Sequence, residues 1–534
     1  MPVATARIYA VLSMLPIAYV VAGVLVRAGA GPFWQWNLLD PAYFYLLDSL
    51  NLVNGSPPGH MAHPGITVDS FGAVMLALAH FSTDPARITS AVLAAPEPAL
   101  QFLSTAYLIL NGSILLVLGR LAYGAFGALV PALACQLAPF MSTIVIKHAF
   151  LPKPEAMLVG VTLALIALTA LALRAQASPA AGHRLAVGFG MVAGFALATK
   201  VTAAPIFVLP LFVLPSLRAV IIYALVSVAA FGLFFLPGIG AADMFIDWLA
   251  KILKGSGAYG TGPQTVIDVA RYPDAVLKIL KRPALKVPLI LALLTLALVA
   301  WRHRRGAEFP WLEVRGLMGV TAAQVLHVLV VAKQPVAFYM IPSYMLAAPS
   351  VLLSCRLLWC MRPANWAPRL SGSLLGGLVL AVFAAAQANG LMRLEGQMRA
   401  VHETAMRLDN ARFSQCARVF IYAASSPAFA LFLADRVTGY RFSARLKPHF
   451  PANDFWLEEW FARAPVDFRN WDGSQDFDKV RADYPCLYLR GNRPGGIERF
   501  MKTAAPGLAY ETKCSVGLEV VATVNVDCDG RVRR

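Results

Sequence analysis

The chain has 534 residues, of which 58% are hydrophobic and 14% charged, with a mean hydropathy of +0.62. That composition excludes an ordinary soluble globular protein and makes a polytopic membrane protein the default. The net charge of +17 does not indicate nucleic acid, because the basic residues sit in short loops between apolar spans and form no stripe on a soluble domain. Membrane surfaces and phosphate groups are the partners this charge suits.

In chain order the apolar spans read as roughly 8–27, 98–118, 121–140, 154–173, 186–199, 201–217, 219–238, 285–301, 316–332, 338–358 and 371–389. With Arg7 in the cytoplasm, alternation places Arg120, Arg174 with Arg184, Arg218, Arg302 with Arg304 and Arg305, and Arg356 with Arg362 and Arg369 on that same side. Arg27, Arg87, Arg271 and Arg282 are the outward exceptions, and the count of eleven sends the C-terminal region outward. Residues 1–30 also end in Ala28-Gly29-Ala30, a small-residue site of the kind cleaved after a secretory signal; either way the segment that follows stays outside.

That segment, 38–67, is too polar to span. It opens with Asp40, and from 41 to 53 it sets Tyr43, Phe44, Leu46, Leu47, Leu50 and Leu52 against Asp48, Asn51 and Asn54, the spacing of a helix lying in the membrane interface. A turn over 55–59 leads to His60-Met61-Ala62-His63-Pro64-Gly65 and a second amphipathic run over 68–81. Asp40 and His63 are thereby brought to one outer rim.

Lysine follows a rule of its own. None precedes Lys147, and Lys147, Lys153, Lys200, Lys251, Lys254, Lys278, Lys281, Lys286 and Lys333 all fall in outward loops or at outward span ends, against the positive-inside tendency. Lys278, Lys281 and Lys286 read as interfacial side chains that snorkel. Lys153, Lys200 and Lys333 sit at span ends beside Pro or Thr, at a depth where an unpaired charge is costly and an anionic ligand would offset the cost. In Lys147-His148-Ala149-Phe150-Leu151-Pro152-Lys153-Pro154-Glu155, two cations and a carboxylate meet a helix N-terminus, a phosphate-binding rim. Glu155 reads either as an acid facing the helix dipole or as a second carboxylate, catalytic, in the cavity of Asp40. Ala198-Thr199-Lys200-Val201-Thr202 separates two short spans, the way membrane proteins place polar groups part-way into the bilayer. The glycine-rich piece at 254–262 lacks Walker spacing and reads as a lid or plain loop. Lys333-Gln334-Pro335 and the stretch to Pro342 close the outward rim, with Tyr339 and Tyr344 as sugar or isoprenoid contacts or as interface-belt tyrosines.

Beyond about residue 390 the composition turns polar. A buried strand over 419–425, a helix over 427–437, a strand over 486–490, helical segments near 457–464, 477–483 and 497–503, and a hairpin over 511–527 predict a small α/β domain. The expected architecture is thus an all-α membrane domain over 1–390, of about eleven transmembrane helices with interfacial helices in its first outer loop, and a soluble α/β domain over 391–534. Cys416, Cys486, Cys514 and Cys528 are an even set in that outward domain, with three ways to form two disulfides; Cys514–Cys528 across the hairpin and Cys416–Cys486 between strands are favoured.

Asp40 after the first span, the interfacial helix, the His-Pro-Gly loop, the Lys-Pro-Glu loop, the Ala-Thr-Lys-Val-Thr break and the Lys-Gln-Pro to Tyr-Met-Ile-Pro-Ser-Tyr stretch, in that order over 1–390, resemble the GT-C type membrane glycosyltransferases, in the pattern of the protein O-mannosyltransferase-like and aminoarabinose-transferase-like branches. The resemblance implies transfer of a sugar from a polyprenyl-phosphate carrier to an envelope acceptor, at the periplasmic face of a bacterial inner membrane. It implies that Asp40 assists the acceptor. The family's Asp/Glu-Lys-Pro-Pro piece aligns with Ala62-His63-Pro64-Gly65, so this chain lacks that acid and has His63 in place of Lys as donor to the lipid phosphate. Lys153, Lys200 and Lys333 join His63 on the leaving phosphate, and in-line attack inverts the anomeric carbon. The cofactor left open is a divalent cation held by Asp40 and Glu155. The rival class is a transporter or flippase for a lipid-linked or anionic solute, which predicts charges at mid-span and repeated halves; a non-catalytic envelope assembly protein would leave Asp40 dispensable.

Overall fold

The computed structural model describes residues 3–35, 42–174, 179–257, 260, 262–362, 371–458, 467–491, 495–517 and 519–533. The protein is mostly helical and divides into two compact units, one of Met1–Leu25, His60–Met75 and Leu103–Met392, the other of Val26–Gly59, Leu76–Phe102 and Arg393–Arg534. Among the described residues nine helices are long and apolar enough to cross a membrane: Ala6–Gly29, Pro96–Phe126, Pro154–Arg174, Ala180–Thr199, Leu217–Lys254, Pro283–His303, Trp311–Val331, Ala337–Cys360 and Gly372–Phe413. This is an integral membrane protein with a small C-terminal sheet domain.

Two of the eleven expected spans are replaced by shorter pieces. The stretch 121–140 is the end of one helix that runs through Phe126, followed by Leu129–Gln136, only 8 residues long, and a 3-10 turn at Ala138–Met141. Gly127, at φ +67°, breaks the first helix, and Pro139 ends the second. Eight residues rise about 12 Å, well short of the hydrocarbon thickness. The stretch 201–217 becomes a 3-10 helix at Val201–Val208 and a short helix at Leu209–Val213, because Pro205 and Pro210 each remove a backbone donor. Lys200 lies at the break between helix Pro179–Thr199 and that 3-10 segment. A second break, the 3-10 turn Ala337–Met340 ahead of Ile341–Met345, carries Phe338 and Tyr339. Helices Ala337–Cys360 and Pro154–Arg174 are the interior members of the membrane unit, buried over 94% and 78% of their apolar windows.

In the second unit the helix expected at 41–53 forms over Ala42–Val53. It does not leave its polar face to solvent: Asp48 and Asn51 are buried, and the helix packs on Pro427–Val437. Asn51 donates to Asp48 (2.8 Å) and to the Thr438 carbonyl (3.1 Å), and the Gly59 amide donates to Asp48 (2.7 Å). The sheet has strands β1 Ala417–Phe420, β2 Asp454–Glu458, β3 Asp467–Asn470, β4 Gly473–Ser474, β5 Leu487–Gly491 and β6 Val520–Val524, in the order β4-β3-β2-β1-β5-β6. β1 is central and parallel to β2 and β5, while β3, β4 and β6 pair antiparallel outside them.

The side-chain period of two sorts the sheet into faces. Ala417, Val419, Phe455, Leu457, Leu487 and Leu489 pack under Phe477, Val480, Ile497 and Phe500, whereas Phe420, Trp456, Tyr488 and Val521 pack under Ala428, Phe429 and Phe432. The segment at 457–464, expected as helix, starts as the end of β2, and its remainder from 459 lies outside the described residues. The expected strand over 419–425 starts at Ala417 and stops at Phe420, where a 3-10 turn at Ala423–Ser425 begins the crossover to Pro427–Val437. The disulfides join Cys416 to Cys486 and Cys514 to Cys528.

Candidate functional site

Helix Pro154–Arg174 begins immediately after Lys153, so Glu155 stands in its first turn with Lys153 beside it. Across from them Lys200 leaves the end of helix Pro179–Thr199 in an extended conformation (φ −160°), which turns its side chain out of the helix path. The Lys200 Nζ lies 2.5 Å from Glu155 Oε1 and the Lys153 Nζ 3.3 Å from Oε2, and all three side chains are only 1–2% exposed. One carboxylate thus stands between two ammonium groups. Buried charge of that kind is costly unless a counter-charge answers it.

Aromatic rings wall the trio. Lys153 Nζ sits 4.3 Å from the centroid of Phe338, and Lys200 Nζ 3.9 Å from that of Tyr339, within the range of cation–π attraction. His148, at the end of the short helix Thr143–Ala149, stacks obliquely on Phe338 at 4.8 Å. Burial, aided by the nearby Lys153 ammonium, holds the His148 imidazole well below its usual range, so it is neutral at pH 7. Its Nδ1 has no hydrogen-bond partner among the described residues.

The His-Pro-Gly loop is stapled to the Lys200 break. The Val201 amide donates to the His63 carbonyl (2.8 Å), the Gly65 amide to the Thr199 carbonyl (3.1 Å), and Pro64 pairs with Lys200 in an isolated antiparallel bridge. The hydroxyls of Thr67 and Thr199 meet at 2.6 Å. Gly65 takes φ +80°, which only glycine reaches cheaply, and the His63–Pro64 peptide is cis. The His63 ring is buried and packs edge-on against Trp248 at 5.7 Å.

Of the site residues expected from sequence, the structure therefore brings Lys153, Glu155, Lys200 and Tyr339 into contact and ties the His63 backbone to them. Lys333 stands elsewhere: its ammonium donates to the Ile252 carbonyl, and it lines, with Arg271, Lys278 and Gln334, a hollow of about 430 Å³ that none of His63, Lys153, Glu155 and Lys200 lines. Tyr344 is buried with its hydroxyl unpartnered among the described residues. Asp40 lies outside the described residues. Both oxygens of Glu155 are taken up by ammonium groups, and among the described residues no cluster of three or more His, Cys, Asp or Glu side chains has metal-holding geometry.

Sequence reasoning passed over His148 and Phe338. Both stand inside stretches it singled out, yet only the fold shows that they face the same charges. The chain matches no family model and no curated protein. Among solved structures it is similar to ArnT from Cupriavidus metallidurans bound to undecaprenyl phosphate, at 15% identity and a TM-score of 0.45, over 95% of this chain and 97% of that one. A likeness of that degree assigns no function to this chain.

Proposed function

We propose that the protein is a membrane glycosyltransferase that moves a sugar from a polyprenyl-phosphate carrier to a hydroxyl or phosphate of an envelope acceptor, on the periplasmic side of a bacterial inner membrane. The observation that carries this reading is the buried trio of Lys153, Glu155 and Lys200, two ammonium groups on one carboxylate, walled by Phe338, Tyr339 and a neutral His148. A phosphodiester brings one negative charge, and a prenyl chain brings the apolar surface that membrane helices accommodate. Sidedness supports the outer location, since Lys153 precedes the helix that ends in Arg174, and Lys200 follows the helix that begins near Arg184.

In the reaction the acceptor oxygen forms a bond to the anomeric carbon as the bond from that carbon to the phosphate oxygen breaks. The acceptor proton passes to a base, the role assigned to Asp40, and the bonding electrons leave with the phosphate, where Lys153 and Lys200 stabilise the added charge. Glu155 serves as the counter-ion that offsets part of the charge of the two ammonium groups when no phosphate is bound. Attack opposite the leaving phosphate inverts the anomeric configuration.

The test is transfer by purified protein in proteoliposomes, offered a panel of polyprenyl-phosphate sugars with and without chelator. Lys200→Met is expected to weaken undecaprenyl phosphate binding roughly 10- to 100-fold, the loss of one charged hydrogen bond, and Asp40→Asn to abolish transfer while leaving binding in place. Unimpaired transfer by Asp40→Asn removes the catalytic assignment, and movement of the lipid between leaflets without transfer replaces the enzyme by a flippase.

A further inference from the structure

The end of helix Pro179–Thr199 is closed by groups from another part of the chain. The last carbonyls of a helix have no partners in their own ladder, and a following residue in left-handed conformation commonly supplies them. Here the residue that follows is Lys200, which is extended, and the Thr199 carbonyl accepts instead from the Gly65 amide at 3.1 Å. Beyond Lys200 the Val201 amide donates to the His63 carbonyl at 2.8 Å, so the main chain is held on both sides of the lysine. A side-chain bond reinforces this closure. The Thr199 hydroxyl gives its one proton to the Phe195 carbonyl at 2.8 Å, which leaves Thr67 as the donor in the 2.6 Å contact between the two hydroxyls.

Thr67 and Thr199 are 4% and 0% exposed. A buried hydroxyl pair can be exchanged for apolar groups of the same shape at almost no cost in stability, so stability alone does not call for it. What the hydroxyls add is direction. Their contact sets the first turn of helix Ile66–Ala79 against the last turn of Pro179–Thr199, and the next residue, Lys200, reaches Glu155 at 2.5 Å and the Tyr339 ring at 3.9 Å. Past Lys200 the chain is a 3-10 segment with Pro205 inside it, so no α-helical ladder fixes the lysine from that side. We propose that Thr67 is a positioning residue that, through the Thr199 hydroxyl, holds Lys200 in the direction of Glu155 and Tyr339 and thereby sets the affinity of the site for a phosphate group. The inference rests on the anion-site reading given under the proposed function.

The experiment measures undecaprenyl phosphate binding and melting temperature in nanodiscs for the unaltered protein, Thr67→Val, Thr67→Ser, Lys200→Met, Thr67→Val with Lys200→Met, and Thr67→Val with Thr199→Val. Expected are about a fivefold loss of affinity in Thr67→Val, the loss of one neutral hydrogen bond, its recovery in Thr67→Ser, whose hydroxyl still donates to Thr199, and no further loss from Thr67→Val once Lys200 is replaced. The double valine variant is expected to melt like the unaltered protein and to bind as weakly as Thr67→Val, so that the loss is read on a fold of undiminished stability. Binding by both valine variants equal to that of the unaltered protein, alongside weak binding by Lys200→Met, overturns the positioning role alone. A loss that Thr67→Ser does not recover, or one that adds in full to that of Lys200→Met, overturns it too, as a merely structural contact. Full binding by Lys200→Met overturns the anion site itself.

Discussion

Replacing Glu155 by Gln separates a counter-ion from a catalytic carboxylate, because the two roles predict opposite changes in affinity. The carboxylate accepts from Lys200 at 2.5 Å and faces Lys153 at 3.3 Å, with all three groups buried. Removing its charge strands two ammonium groups, and breaking a buried pair in this way costs about 3–5 kcal/mol. The same change removes the repulsion between the carboxylate and a bound phosphate. At an effective dielectric of about 20 and a separation of roughly 6 Å, that repulsion is about 3 kcal/mol, or on the order of 100-fold in Kd. Glu155→Gln is therefore expected to melt at a lower temperature, to bind undecaprenyl phosphate more tightly, and to regain its melting temperature when that ligand is added. Thermal denaturation and titration in detergent or nanodiscs read all three quantities. A variant that melts like the original and binds the phosphate less well refutes the reasoning and returns Glu155 to the catalytic or metal-binding role first read from the sequence.

Three further outcomes are expected. For His148 the sign follows from its environment: unfolded, the imidazole takes a proton below its ordinary value of 6.5, whereas folded it resists protonation to a much lower pH. Stability is therefore lost as pH falls below about 6.5, by up to roughly 1.4 kcal/mol per pH unit, and His148→Gln should flatten that part of the melting-temperature profile between pH 7.5 and 5. In the sheet domain the Cys416–Cys486 link spans 70 residues and Cys514–Cys528 spans 14, so loop-closure entropy predicts a loss of about 4 kcal/mol for Cys416→Ser against about 3 for Cys514→Ser, read by limited proteolysis of the full chain under non-reducing conditions. Gly59 lies so close to the Thr438 backbone that a Cβ there would clash with its carbonyl group; Gly59→Ala is expected to cost about 1–3 kcal/mol and to speed cleavage near 55–60.

Helix Ala42–Val53 marks where local pattern stops being informative. Its apolar spacing announces the helix, and the helix forms. The same spacing assigns Asp48 and Asn51 to a solvated face, and there it fails, because both are buried against Thr438 and Gly59, partners up to 387 residues away in sequence. Likewise, prolines at 205 and 210 were visible, but their effect, two short helical pieces in place of a span, depends on where the donors they remove would have pointed.

The sequence by itself determined the membrane class, most of the spans and the presence of a sheet domain, since hydropathy and periodicity act within a few residues of one another. It also singled out Lys153, Lys200 and Lys333 as charges too costly to leave unpaired, and Glu155 as an acid beside the first of them. Only the tertiary structure decided that Lys153, Glu155 and Lys200 meet one another beside His148, Phe338 and Tyr339 while Lys333 lines a hollow that none of the three lines. The reason is physical: a lysine at a span end has the same local energy wherever that span packs, and helix packing over separations of 45 residues and more selects the partner that neutralises it.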